Sequence, residues 1–304
     1  MMKIFGHKNP DTDTITSAIV LADLQNKLGV AAKPYRLGEL NKETQFVLDY
    51  FKIETPDLLT ELSAGDEVAL VDHNEFGQSA SGIENATVRM VVDHHRIADF
   101  RCPEPIMFRV EPVGCTATIL YKLYIENNLS IDKEMAGLMA SAIVSDSLLF
   151  KSPTCTKEDA SICRELANIA GLDIEAYGMD MLKAGTDLSD YNAAGLLAID
   201  AKVFEMNDSK VEIAQINTVD IADMLTRKDE LMNEMERMAS QKGLALFLVA
   251  LTDIVNSNSQ VIAVGSRLDL VVKAFDVQLV DGTAFVPGIV SRKKQIVPVL
   301  EANA

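Results

Sequence analysis

The sequence predicts an α/β protein: a parallel-sheet N-terminal domain followed by a smaller α/β C-terminal domain. Short β-branched runs alternate with longer helical patterns as far as Leu182, the alternation of a parallel sheet covered by helices. Two of the short runs end in aspartate. Beyond a polar, turn-rich stretch, "GTDLSDYN" (Gly185–Asn192), the pattern changes to a hairpin and further strands. A length of 304 residues carries a prior of about two domains, so the stretch reads as a hinge and the domains as residues 1–187 and 188–304.

The apolar run Met2–Phe5 opens a strand over Lys3–Gly6, and Thr14–Lys27 follows as a helix. Glu67–Asp72, containing "VALVD", and Val88–Asp93, ending "RMVVD", read as buried strands. Pro105–Val110 reads as another strand, and Thr116–Asn127, Asp132–Phe150, Lys157–Ala170 and Asp173–Leu182 read as helices. In open parallel sheets ligands bind beyond the carboxyl ends of the strands. Asp72 and Asp93 are therefore expected at one edge, together with the loop "GHKNPDTDT" (Gly6–Thr14). After the hinge, "AKVFEMNDSKVEIAQI" (Ala201–Ile216) reads as a hairpin and Asp220–Lys242 as one long charged amphipathic helix. "LALFLVAL" and "QVIAVG" read as further strands.

Composition narrows the function. A net charge of −17 opposes binding to a polyanion, because non-specific affinity for phosphate backbones comes from Lys and Arg; nucleic acid is not expected as a partner. No stretch approaches the roughly 18 apolar residues of a membrane span, and the N-terminus runs into a strand without a signal-peptide apolar region. A cytoplasmic protein with no membrane partner is expected. Cys102, Cys115, Cys155 and Cys163 form no CxxC pair and read as reduced core or surface thiols.

The chain has four histidines, His7, His73, His94 and His95, and each lies beside aspartate in "HKNPDTD", "VDHNE" or "VVDHHR". That grouping points to a metal site, with His73 read as a partner that orients a ligand. Imidazoles among carboxylates, without thiolate, suit manganese first, then cobalt, iron or magnesium, over a structural zinc site. Several aspartates around one divalent ion would leave uncompensated negative charge, whereas two ions balance four carboxylates and form a device for activating water against phosphorus. The fourth carboxylate is sought in Asp146, which shares a helical face with Met135, Met139 and Ile143. Spacing alone leaves open a helix-terminal aspartate near solvent. The densest basic cluster is "SRKK" (Ser291–Lys294), which composition alone would also allow as a solvated strand edge.

"HKNPDTD", "VDHNE", "VVDHHR", "AIVSDS" and "SRKKQIVPVL", in this order and spacing, resemble the family II inorganic pyrophosphatases, the manganese-dependent branch of the DHH phosphoesterase superfamily. The resemblance spans nearly the whole chain. It implies a homodimer of two-domain subunits hydrolysing pyrophosphate in the interdomain cleft, with two Mn2+ per subunit, Co2+ as a substitute and additional Mg2+ arriving with substrate. One ion would be held by His7, Asp11, Asp72 and Asp146, the other by Asp13, Asp72, His94 and Asp146, with Asp72 and Asp146 bridging. His95 would face substrate, and Asp93 would support the site without binding metal. Lys202, Arg292 and Lys293 would meet the phosphates. Strand alternation would instead put Arg292 and Lys294 on one face, so Lys293 requires a turn there. The catalytic set is then His95, Asp72 and Asp146.

An alternative is a DHH-type exopolyphosphatase or small-nucleotide phosphodiesterase. Relatives that cleave nucleotides commonly carry a glycine-rich, histidine-containing motif in the second domain; here that domain has no histidine and no adjacent glycines. A phosphate- or metal-sensing protein is disfavoured because no proposed ligand is missing. The 50 residues between His95 and Asp146 leave no room for a nucleotide-sensing insert.

Overall fold

In the computed structural model, which describes residues 1–207 and 209–304, the chain divides into Met1–Gly185 and Thr186–Ala304, at the first residues of the stretch read as a hinge. The first unit runs β1 (Met2–Phe5), α1 (Thr12–Lys27), β2 (Ala32–Arg36), α2 (Lys42–Phe51), β3 (Asp57–Leu58), β4 (Glu67–Val71), β5 (Thr87–Asp93), β6 (Met107–Val110), α3 (Thr116–Glu126), α4 (Lys133–Ser147), α5 (Lys157–Ala170) and α6 (Ile174–Gly185). Its strands form one sheet in the order β3-β2-β1-β4-β5-β6, and every pairing is parallel. Val68, Ala69, Leu70 and Val71 are all buried, because a central parallel strand is covered on both faces. Strand order reverses between β1 and β4, and the carboxyl ends there flank the crevice where such sheets bind ligands.

The sequence reading assigns no element between Leu28 and Asp66, yet β2, α2 and β3 lie there. β2 ("AKPYR") hides its strand character behind Pro34 and two basic residues. α2 carried a readable signal, since the Asn41 side chain accepts from Thr44 N at 2.7 Å, an N-cap ahead of an apolar-periodic run. The helix expected over Asp132–Phe150 stops at Ser147. Leu148, Leu149 and Phe150 have φ of 46°, 53° and 66°, a left-handed turn that leucine propensity does not announce. Tertiary contacts hold it: Leu149 is buried, and Arg164 lies over the Phe150 ring at 4.9 Å.

The second unit runs α7 (Ala193–Ala198), β7 (Ala201–Met206), β8 (Ser209–Thr218), α8 (Ile221–Leu225), α9 (Lys228–Lys242), β9 (Leu246–Asp253), β10 (Asn258–Gly265), α10 (Leu268–Phe275), β11 (Thr283–Pro287), a helical turn over Arg292–Ile296, and α11 (Val297–Asn303). The sheet order is β11-β10-β9-β8-β7; β8 and β9 are parallel and the other pairs antiparallel. β9 alternates as a strand buried on both faces must. Phe247, Val249 and Leu251 join a core with Leu196, Leu231 and Met235, while Leu246, Leu248 and Ala250 join one with Leu270, Ile296 and Leu300.

One expectation is corrected here, and one open alternative falls. The single helix over Asp220–Lys242 is broken into α8 and α9, because Asp220 caps the first through Asp223 N at 3.0 Å and the Thr226 hydroxyl donates back to Asp223 O at 2.6 Å; such local side-chain bonds compete with helix continuation. "SRKK" is no strand edge. Ser291 caps the turn by accepting from Lys294 N at 3.2 Å, so strand alternation does not apply to Arg292–Lys294. The residue at the expected hairpin turn, Asp208, lies outside the described residues.

Candidate metal centre

The site is assembled at the carboxyl ends of β1, β4 and β5. Gly6 ends β1 against α1: a Cβ there would stand 2.4 Å from Thr14 Cγ2, so only glycine lets the chain pass this close. Asp11 caps α1 by accepting from Thr14 N at 3.0 Å. Asp13, fully buried in the first turn, accepts from Ser17 Oγ at 2.6 Å and from Thr116 N, at the start of α3, at 2.7 Å. The helix-start amide is therefore spent on a carboxylate of the chain itself, which the positive end of a helix favours.

Asp72 is buried in the centre and has a left-handed φ of 58°. Thr14 Oγ1 donates to its Oδ2 at 2.6 Å and Thr116 Oγ1 to its Oδ1 at 3.2 Å. His7 Nε2 lies 3.5 Å from both Asp11 Oδ2 and Asp72 Oδ2. His94 Nε2 lies 3.3 Å from Asp72 Oδ1 and 3.9 Å from Asp146 Oδ2. His94 Nδ1 meets the Val113 carbonyl at 3.2 Å, which leaves Nε2 as the free nitrogen toward the carboxylates. Asp146, near the end of α4, faces inward, so the solvent-facing reading of that aspartate falls.

Beyond this cluster, Asp93 is wholly buried and is occupied by His95 Nδ1 at 2.9 Å and Asn74 Nδ2 at 2.6 Å. His95 itself is half exposed, with Nδ1 3.6 Å from Asp72 Oδ1. His73 is buried with Nδ1 on the Val71 carbonyl at 2.9 Å and joins no ligand group.

The electrostatics call for cations. Burial, then the neighbouring Asp72, raises Asp13 to about 7. Burial, then Asp13, Asp72 and Asp11, pushes Asp146 well above the carboxylate range. Burial opposes ionisation of Asp72 too, but His7, His94 and Thr14 hold it well below its ordinary value. Burial opposes protonation of His7 and His94, yet the carboxylates overcome it and raise them to about 10 and about 9. Asp93 raises His95.

The donor set fits a metal on two grounds. Asp146 Oδ2 is buried and has no hydrogen-bond partner, an expensive state that a cation removes. The donor atoms of His7, Asp11 and Asp72, of Asp72, His94 and His95, and of Asp13, Cys115 and Asp146 form three groups, each within 4.8 Å. Asp72 is common to two of them. Burial holds the Cys115 thiol well above its ordinary pKa, and the other donors are the imidazoles and carboxylates that manganese accepts.

The first unit thus brings together His7, Asp11, Asp13, Asp72, His94, His95 and Asp146. Lys202, Arg292 and Lys293 lie in the second unit, where the lysines are exposed and Arg292 is buried. Sequence reasoning missed the residues that brace the acids: Thr14, Asn74, Cys115, and Glu43, whose Oε1 accepts from Thr12 Oγ1 at 2.6 Å and Ser145 Oγ at 2.5 Å. The threonine-rich "TDTIT" following Asp11 was the one available signal.

Family models agree with this layout: the DHH family N-terminal domain matches residues 2–143 and the DHHA2 domain residues 179–303. The manganese-dependent inorganic pyrophosphatase of Bacillus subtilis is 56% identical over 298 residues, covering 98% of this chain and 96% of the relative. The chain belongs to the manganese-dependent inorganic pyrophosphatases. A relative in Staphylococcus epidermidis named as a probable member of the same family is 55% identical over 296 residues, covering 97% of this chain and 96% of its own length. The crystal structure of a Methanococcus jannaschii protein assigned to the family II inorganic pyrophosphatases has a TM-score of 0.63 at 37% identity, covering 100% of this chain and 99% of that one. No helix among the described residues is long and apolar enough to cross a membrane.

Proposed function

We propose that this chain hydrolyses inorganic pyrophosphate to two orthophosphates, using two manganese ions held by His7, Asp11, Asp13, Asp72, His94 and Asp146. Family membership carries the activity; what supports the site is that Asp72 belongs to two ligand groups, while Asp146, whose inward-facing oxygen has no hydrogen-bond partner, groups with Asp13 and lies 3.9 Å from His94. His7, Asp11, Asp72 and Asp146 would hold one ion and Asp13, Asp72, His94 and Asp146 the other, with Asp72 and Asp146 shared. Co2+ suits the same donors, and additional Mg2+ would accompany the substrate. Bound manganese supplies the positive charge that acidifies a water and neutralises phosphate oxygens at neutral pH.

The chain's own residues do the rest. His95, fixed through Nδ1 by Asp93 and biased toward the charged form, turns the opposite side of its ring outward and places a proton donor toward a phosphate oxygen. Lys202, Arg292 and Lys293 neutralise the departing phosphate, whose negative charge grows as the bridging P–O bond breaks. A homodimer and a cytoplasmic location accompany this reading; the outer edge of β6, which pairs with no further strand among the described residues, supports the first.

The test is phosphate release by manganese-loaded protein from pyrophosphate, tripolyphosphate and a dinucleotide. Release from pyrophosphate far above the other two is expected. Equal or faster attack on tripolyphosphate or the dinucleotide would overturn the assignment.

A further inference from the structure

We propose that Asp200 is a positioning residue for the phosphate-binding part of the second unit, setting the orientation of the Arg292 guanidinium relative to Lys202. The inference rests on the reading that Arg292 and Lys202 meet substrate. Arg292 is the one buried member of the basic turn, and its guanidinium is tied down at three points. NH2 donates to Asp200 Oδ1 at 2.7 Å, NH1 donates to the Asp200 backbone carbonyl, and NH1 also reaches the Ile213 carbonyl at 3.4 Å. Ile213 is the register partner of Lys202 across β7 and β8, and Asp200 stands two residues before Lys202 on the same strand approach. The guanidinium is therefore fixed to the carbonyl two residues before the lysine and to the carbonyl of the lysine's register partner.

The turn itself is clamped separately. Gln215 Oε1 accepts from Arg292 N at 2.9 Å, Gln215 Nε2 donates to Val290 O at 2.9 Å, and Gln215 N donates to Asp200 O at 3.0 Å. Backbone placement is thus already secured without the Asp200 carboxylate. A carboxylate beside an anion site weakens attraction for phosphate, so its presence has to contribute geometry. A guanidinium has five donors in a rigid fork, and one charge-assisted bond to NH2 is enough to set the plane of the fork. Nε, which makes none of these bonds, is not among the buried unpartnered side-chain atoms of the described residues, which belong to His73, Ser79 and Asp146. Asp200 is half exposed, with 51% of its side chain accessible against 9% for Arg292. Its carboxylate can therefore be removed without opening the core.

The experiment compares Asp200→Ala, Asp200→Asn, Arg292→Ala and the Asp200→Ala/Arg292→Ala double variant in full-length, manganese-loaded protein, reading KM and kcat for pyrophosphate, bound manganese and thermal midpoint. Asp200→Ala is expected to lower kcat/KM by about 10–100-fold, by analogy with partners that orient metal ligands, with bound manganese unchanged. Asp200→Asn, which keeps an acceptor, should recover part of the loss. In the double variant the Asp200 change should add nothing to the loss caused by Arg292→Ala, because groups acting through one another are not additive. If Arg292→Ala loses activity while Asp200→Ala changes only the thermal midpoint, or if the two losses multiply, Asp200 does not position Arg292 and the proposal is overturned while the role of Arg292 stands. If Arg292→Ala itself leaves kcat and KM unchanged, the placement of Arg292 on substrate fails, and the proposal with it.

Discussion

The two units handle charge in opposite ways. In the first, Asp72 and Asp93 are buried at the ends of parallel strands and Asp13 in the first turn of α1, each held by hydroxyls, amides or imidazoles, and the cluster retains too much negative charge to be comfortable without cations. In the second, the cations proposed to meet substrate are two exposed lysines and one arginine pinned to backbone. A buried carboxylate needs prior arrangement, because each partner must be built into the fold. An exposed ammonium needs almost none. The contrast teaches where substitutions should be destructive and where merely attenuating.

The largest effect is expected at Asp72, which two ligand groups share. Asp72→Ala should abolish stoichiometric manganese binding, measured by elemental analysis, and reduce pyrophosphate hydrolysis by more than the 10²–10³-fold typical of losing one donor to a developing charge. A variant retaining both ions would contradict the shared role. Arg292→Ala should keep its manganese and lose turnover by about 10²–10³-fold; normal turnover would place the chemistry wholly in the first unit.

Protonation sharpens the same contrast, since the histidines of the first unit must be neutral to bind metal. His7 and His94 are raised to about 10 and about 9 in the metal-free protein. Adding manganese at pH 8 in weak buffer should therefore release at least the protons of the two histidines from each chain, and affinity should fall as pH falls. For metal-free stability the sign is opposite. A raised folded pKa contributes stability that is full below the unfolded value near 6.5 and is lost as pH rises through about 9 to about 10. Thermal midpoints of metal-free protein across that window check it; Asp13, raised from 3.8 to about 7 mainly by burial, has its own loss of stability with rising pH below that window.

The smallest effect is expected at Glu43, which touches no proposed ligand directly. Its carboxylate joins Thr12 and Ser145, the neighbours of Asp11, Asp13 and Asp146. Glu43→Gln should weaken manganese by about 10-fold in a competition titration, and an unchanged affinity would reduce Glu43 to a helix–helix stitch.

The loops bearing the proposed ligands were readable because metal chemistry restricts residue type: four histidines, each within four residues of an aspartate, stand out from ordinary core. Strands ending in aspartate gave the sheet edge as well. The braces were not readable, since Thr14, Asn74 and Glu43 are common residues whose value lies in contacts 58, 19 and 102 positions away. The break between α8 and α9 was missed because the Thr226 hydroxyl bond is a local choice that apolar periodicity does not register. Arg292 was singled out through the basic run and the family resemblance, but its burial was not legible, because a helical turn stands where composition allowed a strand edge.

Left-handed backbone occurs at Asp72 and, just past Asp146, at Leu148, Leu149 and Phe150. For residues with a Cβ this conformation costs about 1–2 kcal/mol each, and a sequence selected only for ease of folding would place glycine or asparagine at these points. Local preference and global structure disagree beside both of the aspartates proposed to serve two ions. Such disagreement is frustration, and a folding landscape is roughest where it accumulates. Part of this chain's roughness therefore lies beside the two carboxylates proposed to serve both ions, and there the search for the native state and the demands of the proposed reaction compete over the same few residues.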